Sequence, residues 1–463
     1  MEFLYYDLIF LVIFCLFVFF FLRAKRKKIQ REGVIFLYKT KLGLRFIDRT
    51  AKKFKKILDP LGNISIVSGF TMMVAIFYFL IKSILLTIKI PINVPPVLPL
   101  FPYIPQAFKL PLPPFYFTYW IIIIVVIAVT HEFAHGIYSR YNKVKVKSTG
   151  FGFLGPFLAA FVEPDEKGLE KKKSKAQLEV FSAGSFSNLV FAVIFMLTLQ
   201  LFFILAYQPA GISFMFSYSS LNISEIKSIG SYNVQEFFNL SDKELATINK
   251  TLAVQTENDT YYMNKELISE IPSSRKIIEK YNRIIVYDDT PAFRAGLEGG
   301  LQKIDNYTIK KVEDVSKVLS SYRPGDKVKI ITSESEYDLI LGKHPLNEST
   351  PYLGISFQQM RGANLILSSL TSPFFSPHTY VKARGNEKTT IFFRDLLIWL
   401  VLICFFVAIF NMLPVTVLDG GKMLFVLTFA ITKSKKKAKS VLGAASYIVL
   451  LLILAMIFVW LVG

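Results

Sequence analysis

Residues 130–135 read Thr130-His131-Glu132-Phe133-Ala134-His135, the pattern H-E-x-x-H. On a helix, residues four apart project from one face. Two imidazoles so placed can reach one ion, and zinc takes ring nitrogens at about 2 Å. Glu132 stands beside the first histidine, where a carboxylate reaches a water near the ion without binding the ion itself. The chain holds four histidines, His131, His135, His344 and His378, so a chance match with Glu in place is rare. A hydrolytic zinc needs a third protein ligand and an open fourth position for water. Asp419, in Asn411-Met412-Leu413-Pro414-Val415-Thr416-Val417-Leu418-Asp419-Gly420-Gly421, is the candidate for the third. Taken alone, an Asp before two glycines reads as a turn residue.

The elements that must position these groups are membrane helices. The 463 residues are 52% hydrophobic, and the apolar residues gather in runs near the length of about 20 that spans a bilayer as helix. Six spans are expected, roughly 4–22, 64–88, 115–138, 179–207, 395–413 and 441–462. The basic segments 23–60, 139–178 and 433–440 place themselves in the cytoplasm by the positive-inside rule. The proline-rich 91–114, with Lys109 as its single base, belongs outside. So does 208–392, where Asn222, Asn239, Asn249, Asn258, Asn306 and Asn347 each begin an Asn-x-Ser/Thr triplet. The third and fifth spans then both run inward, and His131, His135 and Asp419 can converge near the cytoplasmic face. His344 and His378 lie on the other side. Ionisable groups inside an apolar span are functional by default; the competing reading is a polar cluster that pins helices together.

The net charge of +20 sits in blocks flanking apolar runs, which points to anionic lipid and away from nucleic acid. Cys15 and Cys404 stand far apart in apolar runs, so neither a disulfide framework nor a thiolate metal site is indicated. The first run has Glu2 and Asp7 before it and Arg23-Ala24-Lys25-Arg26-Lys27-Lys28 after it, the reverse of a signal peptide, and reads as an uncleaved anchor. Ile47, Ala51, Phe54 and Leu58 recur at helical spacing among bases. That helix lies either on the inner membrane surface or on the protein's own cytoplasmic face.

The His131-Glu132-Phe133-Ala134-His135 and Asn411-x-x-Pro414-x-x-x-x-Asp419-Gly420 runs, in this order and separated by an insert, resemble the site-2 protease family of intramembrane metalloproteases. The resemblance implies one Zn2+ per chain held by His131, His135 and Asp419, Glu132 as catalytic base, and Asn411 contacting substrate or oxyanion. The family's Gly-Pro-x-x-Asn motif reads Gly184-Ser185-Phe186-Ser187-Asn188 here, with Ser185 in place of Pro; it implies a substrate role for Asn188. Gly152 to Glu163 looks like the family's membrane-dipping hairpin. Within the insert, Thr290-Pro291-Ala292-Phe293-Arg294-Ala295-Gly296-Leu297, Asp305-Asn306-Tyr307-Thr308-Ile309 and Arg323-Pro324-Gly325-Asp326-Lys327-Val328 resemble a bacterial-type PDZ domain, about 283–357, with a helix near 313–321. Such domains capture peptide C-termini, and Tyr352-Leu353-Gly354-Ile355 matches the carboxylate loop. Residues 208–282 match no pattern.

The expected fold is an α-helical polytopic membrane protein, about six transmembrane helices, with an extracytoplasmic α+β PDZ-like domain. Its parts are 1–60 (anchor and basic segment), 61–114, 115–207 (first half of the catalytic core), 208–392 (insert) and 393–463 (second half). The expected function is zinc-dependent cleavage of membrane-protein substrates within or near their transmembrane segments, at the cell membrane. The alternatives are another zinc protease with Glu as third ligand, and a non-catalytic PDZ-bearing adaptor or transporter with a structural metal.

Overall fold

The computed structural model describes residues 2–89, 101–108, 110, 112–155, 157–357 and 378–462; most of the proline-rich 91–114, Lys109 included, lies outside them. Two compact units emerge, one from residues 1–198 and 393–463, the other from 199–392.

Among the described residues, six helices are long and apolar enough to cross a membrane. Before the insert come α1 (Glu2–Ala24), the short basic α2 (Leu44–Lys53), α3 (Lys55–Lys89), α4 (Phe117–Tyr141) and α5 (Ser174–Ala206). After the insert come α6 (Glu387–Phe410), α7 (Asp419–Thr432) and α8 (Lys435–Val462). All but α2 and α7 are the spanning candidates. The helix expected through Ile47 and Leu58 is two helices. Phe54 has φ −101° and ψ 20°, so α2 stops there and Leu58 belongs to α3. Ile47 and Ala51 are buried in contact with the protein itself.

Residues 29–40 also depart from expectation. They form a hairpin, β1 (Ile29–Glu32) and β2 (Ile35–Thr40), that joins the hairpin β3 (Val146–Leu154) and β4 (Phe157–Pro164) in a four-stranded antiparallel sheet ordered β1-β2-β3-β4. Tyr38 pairs with Phe151 and Gly152 with Ala159. The expected apolar hairpin is thus longer than 152–163 and is backed by the N-terminal segment, and β4 is left at the sheet's edge.

Among the described residues of the second unit, one hydrophobic core gathers around Ile229, Phe237 and Val254 and another around Leu301, Ile304 and Ile330. They are built alike. The first has strands β5 (Ser228–Ile229), β6 (Tyr232–Asn233), β7 (Leu252–Gln255) and β8 (Thr260–Met263); the second has β9 (Leu301–Ile304), β10 (Tyr307–Thr308), β11 (Lys327–Thr332) and β12 (Glu336–Ile340). A helix, Val234–Asn239 or Val312–Leu319, follows the first hairpin in each. Ile229 pairs with Tyr232 as Ile304 pairs with Tyr307. Val254 pairs with Tyr261 as Ile330 pairs with Tyr337. The turn residues Gly230 and Asp305 both take left-handed backbone, φ 61° and 47°. Each donates its N–H to the corresponding strand, Gly230 to Ala253 O and Asp305 to Lys329 O, at 2.7 Å. Residues 226–263, unmatched as sequence, therefore repeat the module at 301–340.

One buried acid fixes the helix that carries the histidines. Tyr116, which precedes α4, offers no side-chain cap. The cap comes from α1: Asp7, 2% exposed, accepts from Phe117 N and Thr118 N at 2.8 Å, from Thr118 Oγ1 at 2.5 Å and from Tyr103 Oη at 2.6 Å. Free N–H groups at a helix start need such a partner. Replacing Asp7 by Ala orphans one buried and one half-buried amide and is expected to destabilise the fold by about 2–3 kcal/mol. Thermal unfolding in detergent reads this as a lower midpoint, with Asp7→Asn falling less; an unchanged midpoint for Asp7→Ala would exclude the cap.

Candidate metal centre

The apolar run Ile121–Ile127 carries α4 to its polar end, where His131 and His135 lie one turn apart on a single face. Asp419 comes from the far end of the chain. α6 stops at Phe410, the chain turns through Asn411–Leu418, and α7 starts at Asp419. The turn doubles tightly on itself. Gly420 N donates to Asn411 O at 2.9 Å. A Cβ on Gly420 would stand 2.2 Å from Met412 O, and one on Gly421 2.1 Å from Val415 O. Only glycine fits either position, which explains the Gly-Gly pair after Asp419.

The result is a triangle of donor atoms. His135 Nε2 lies 3.1 Å from His131 Nε2 and 3.1 Å from Asp419 Oδ2, and His131 Nε2 lies 3.3 Å from the same oxygen. These are the edges expected of three ligands about 2 Å from a tetrahedral ion. Both histidines and Asp419 are largely buried. The surroundings of His135 fix a tautomer that agrees with that use, and those of His131 do so once the Asn188 amide is turned. His135 Nδ1 is 2.6 Å from Val180 O, so it carries the proton and leaves Nε2 with its lone pair. His131 Nδ1 is 3.2 Å from Asn188 Nδ2, and Asn188 Oδ1 accepts from Thr130 Oγ1 at 3.2 Å. An amide's two ends exchange by rotation. With Oδ1 toward the ring it accepts from Nδ1–H. Nδ2 then donates to Thr130 Oγ1, whose proton goes to Ile127 O at 3.1 Å. Two lone pairs and a carboxylate oxygen facing one another fit a divalent cation, and zinc fits this donor set.

The remaining groups surround the triangle. Glu132 Oε2 accepts from Val162 N of β4 at 2.9 Å. Lys422 Nζ stands 3.5 Å from Asp419 Oδ1. α5 approaches through Gly184: a Cβ there would be 2.3 Å from His135 Nε2 and 2.7 Å from His131 Nε2. A cavity of about 970 Å³ opens beside the centre, lined by His131, Glu132, Asn411, Asp419, Leu158 and Ala160 among others.

The structure therefore gathers His131, Glu132, His135, Asn411 and Asp419 at one cavity. Asn188 sits behind His131 as a ring partner. Tyr352, Leu353, Gly354 and Ile355 lie in the insert. There Leu353 O accepts from Ala292 N at 2.9 Å, Gly354 O accepts from Ser217 N at 3.0 Å, Tyr352 Oη is 2.6 Å from Ser217 Oγ, and Ile355 pairs with Phe216. Sequence reasoning missed Val180 O, Val162 N and Lys422, and gave Gly184 no task. The two backbone groups carry no residue-type signal; the small residue of the Gly184-x-x-x-Asn188 run was the available sign.

The family model described as peptidase family M50 matches residues 119–456, a stretch holding every residue of the centre. The chain belongs to that family, the site-2 proteases. The family is one of metallopeptidases, and six helices among the described residues are long and apolar enough to cross a membrane. A protein of Methanocaldococcus jannaschii, described as uncharacterized, is 35% identical over 170 residues, 34% of this chain and 41% of its own length. The chain thus spans about two fifths of that relative.

The close approach of α5 sets a test of the M50 centre. Gly184→Ala puts a methyl against the ligand nitrogens of both rings and is expected to weaken zinc binding at least 10–100-fold, the range of disturbed outer-shell contacts. Zinc per chain after dialysis against a weak chelator measures it. Full occupancy would mean that α5 does not seat on the rings.

Proposed function

We propose that this protein is a zinc-dependent intramembrane protease that hydrolyses peptide bonds within or near transmembrane segments of membrane proteins, as in regulated intramembrane proteolysis. The observation that carries the reading is the triangle of His131, His135 and Asp419 with Glu132 beside it, at a cavity flanked by a free strand edge. Among the described residues the cluster has three protein donors, which leaves a fourth position for water or substrate. A closed structural site would fill it, and this disfavours the adaptor and transporter alternatives.

Bound here, zinc supplies Lewis-acid polarisation of the scissile carbonyl and acidifies water. Glu132 accepts the proton of the attacking water and returns it to the amine nitrogen as the C–N bond breaks. The Val162 amide holds one oxygen of Glu132 and leaves the other to face the reacting water. Asn411, on the cavity wall, donates from its amide to the developing oxyanion. Val180 O and Asn188 hold the two rings in their ligand tautomers. Because Val162 N points away from β3 toward Glu132, the backbone groups of Leu158 and Ala160, of the same parity along β4, also face outward. An extended substrate can pair with that edge, which orders the peptide beside the base. A substrate helix must first unwind locally.

The positive-inside pattern supports a cytoplasmic location for 23–60, 139–178 and 433–440, with the insert outside and the centre near the inner face of the cell membrane. The PDZ-like part of the insert then sorts substrates, through peptide C-termini at Tyr352–Ile355.

Glu132→Gln is expected to lower turnover of a transmembrane substrate at least a thousandfold, of the order removed with a general base together with its water positioning, while zinc content stays near one per chain. Asp419→Ala is expected to lower zinc content itself. Turnover retained in Glu132→Gln would remove Glu132 from the mechanism. Cysteines placed at Ser174, Asn258 and Lys436 report orientation: only the one at 258 should react with an impermeant thiol reagent on intact cells, and labelling at 436 alone would invert the topology.

A further inference from the structure

The spacing of the bases on α2 gives it a charged face opposite the side that packs on the first unit. Ile47, fully buried, marks the inner side. Arg45, Arg49, Lys52 and Lys53 fall on the outer side and are exposed; Phe46, 56% exposed, lies at its flank with its ring 5.9 Å from that of Phe133. None of the four bases pairs with a carboxylate among the described residues; the helix's own acid, Asp48, is turned to Arg140 Nε at 2.7 Å. At Phe54 the chain passes directly into α3, whose membrane-crossing candidate begins at Lys55. A basic face with one exposed aromatic, tethered by a single residue to a membrane helix, complements anionic headgroups into which an aromatic ring inserts.

The inner side of α2 touches the catalytic elements. Ile47 packs with Val162 of β4 and with Phe133 and Ile137 of α4. Its Cδ1 would stand 2.9 Å from a Cβ on Gly136, and Phe133 Cζ 2.7 Å from one on Gly43. Phe133 follows Glu132 in the chain, and Val162 donates the hydrogen bond that holds Glu132. The two groups that fix the Glu132 carboxylate, its helix and its strand, thus both rest on α2. We propose that α2 binds anionic phospholipid through Arg45, Arg49, Lys52 and Lys53, and that this binding seats Ile47 and supports the active arrangement of Glu132. Lipid charge on that face of the bilayer then regulates turnover. The regulatory half rests on the proteolytic reading above; the binding half does not.

The test uses the full chain in vesicles of phosphatidylcholine alone and of phosphatidylcholine with one-third phosphatidylglycerol. Benzoylphenylalanine at position 46 is photolysed and its lipid adducts are counted by mass spectrometry. In parallel, turnover of a transmembrane substrate is compared for the native chain and the R45Q/R49Q/K52Q/K53Q variant, which leaves Ile47 and the metal centre untouched. Phosphatidylglycerol adducts above its mole fraction are expected, with turnover about fivefold higher in the anionic vesicles for the native chain and unchanged for the variant. Adducts in proportion to mole fraction, or adducts mainly to protein, would overturn lipid binding. An equal response in the variant would overturn the coupling. If no chain cleaves in either vesicle, the proteolytic reading falls and the adduct ratio still decides whether α2 reads lipid charge.

Discussion

Three electron-rich atoms held about 3 Å apart repel one another, and the architecture of the first unit follows from having to hold them there. The rings of His131 and His135 come from one helix and are aligned by its geometry. Asp419 is brought from 284 residues away. Each is pinned from behind. Val180 O fixes one ring, Asn188 the other, and the doubled turn before α7 fixes the carboxylate, with Lys422 beside its second oxygen. A buried polar cluster of this kind is stable only if every member has a partner, and the partners are drawn from α5, α4 and α7.

That requirement explains residues that look unremarkable singly. Gly184 lets α5 come close enough for Val180 and Asn188 to reach the rings. Gly420 and Gly421 let the return turn close. β4 leaves the Val162 amide unpaired on its β3 side and so available to Glu132. The N-terminal hairpin and α2, far from the histidines in sequence, stiffen the far side of the same strand.

Much of this was legible in the residues. The i, i+4 histidines in a chain with four histidines, the six apolar runs and the Asn411–Gly421 run located the centre and the spans to within several residues. What was illegible has physical causes. Supports made of backbone N–H and C=O leave no residue-type trace. The pairing of β2 with β3 joins segments more than 100 residues apart, and a block of bases around it masks the alternation of a strand. Helical spacing carries across Phe54 because α3 resumes at once, so a break of one residue is silent. The repeat in the insert does show, in Ile226-x-x-Ile229-Gly230-Ser231-Tyr232 against Leu301-x-x-Ile304-Asp305-Asn306-Tyr307. It fades afterwards because the intervening helices differ in length, Val234–Asn239 against Val312–Leu319.

The Asp7 cap has a consequence for the order of assembly. Its amide partners lie 110 and 111 residues later in the chain. At synthesis rates of about 5–20 residues per second, α1 waits roughly 5–20 seconds before Phe117 and Thr118 exist. During that interval a carboxylate near one end of a membrane helix has only water and headgroups to satisfy it, at an insertion cost that for a central Asp reaches about 3 kcal/mol. Its place one turn and a half from the helix start keeps it near the interface, where the wait is tolerable. Arrival of α4 then turns the same charge from a burden on the first helix into the seal that draws it against the helix carrying the histidines, so that the two helices can close only after the second has been made.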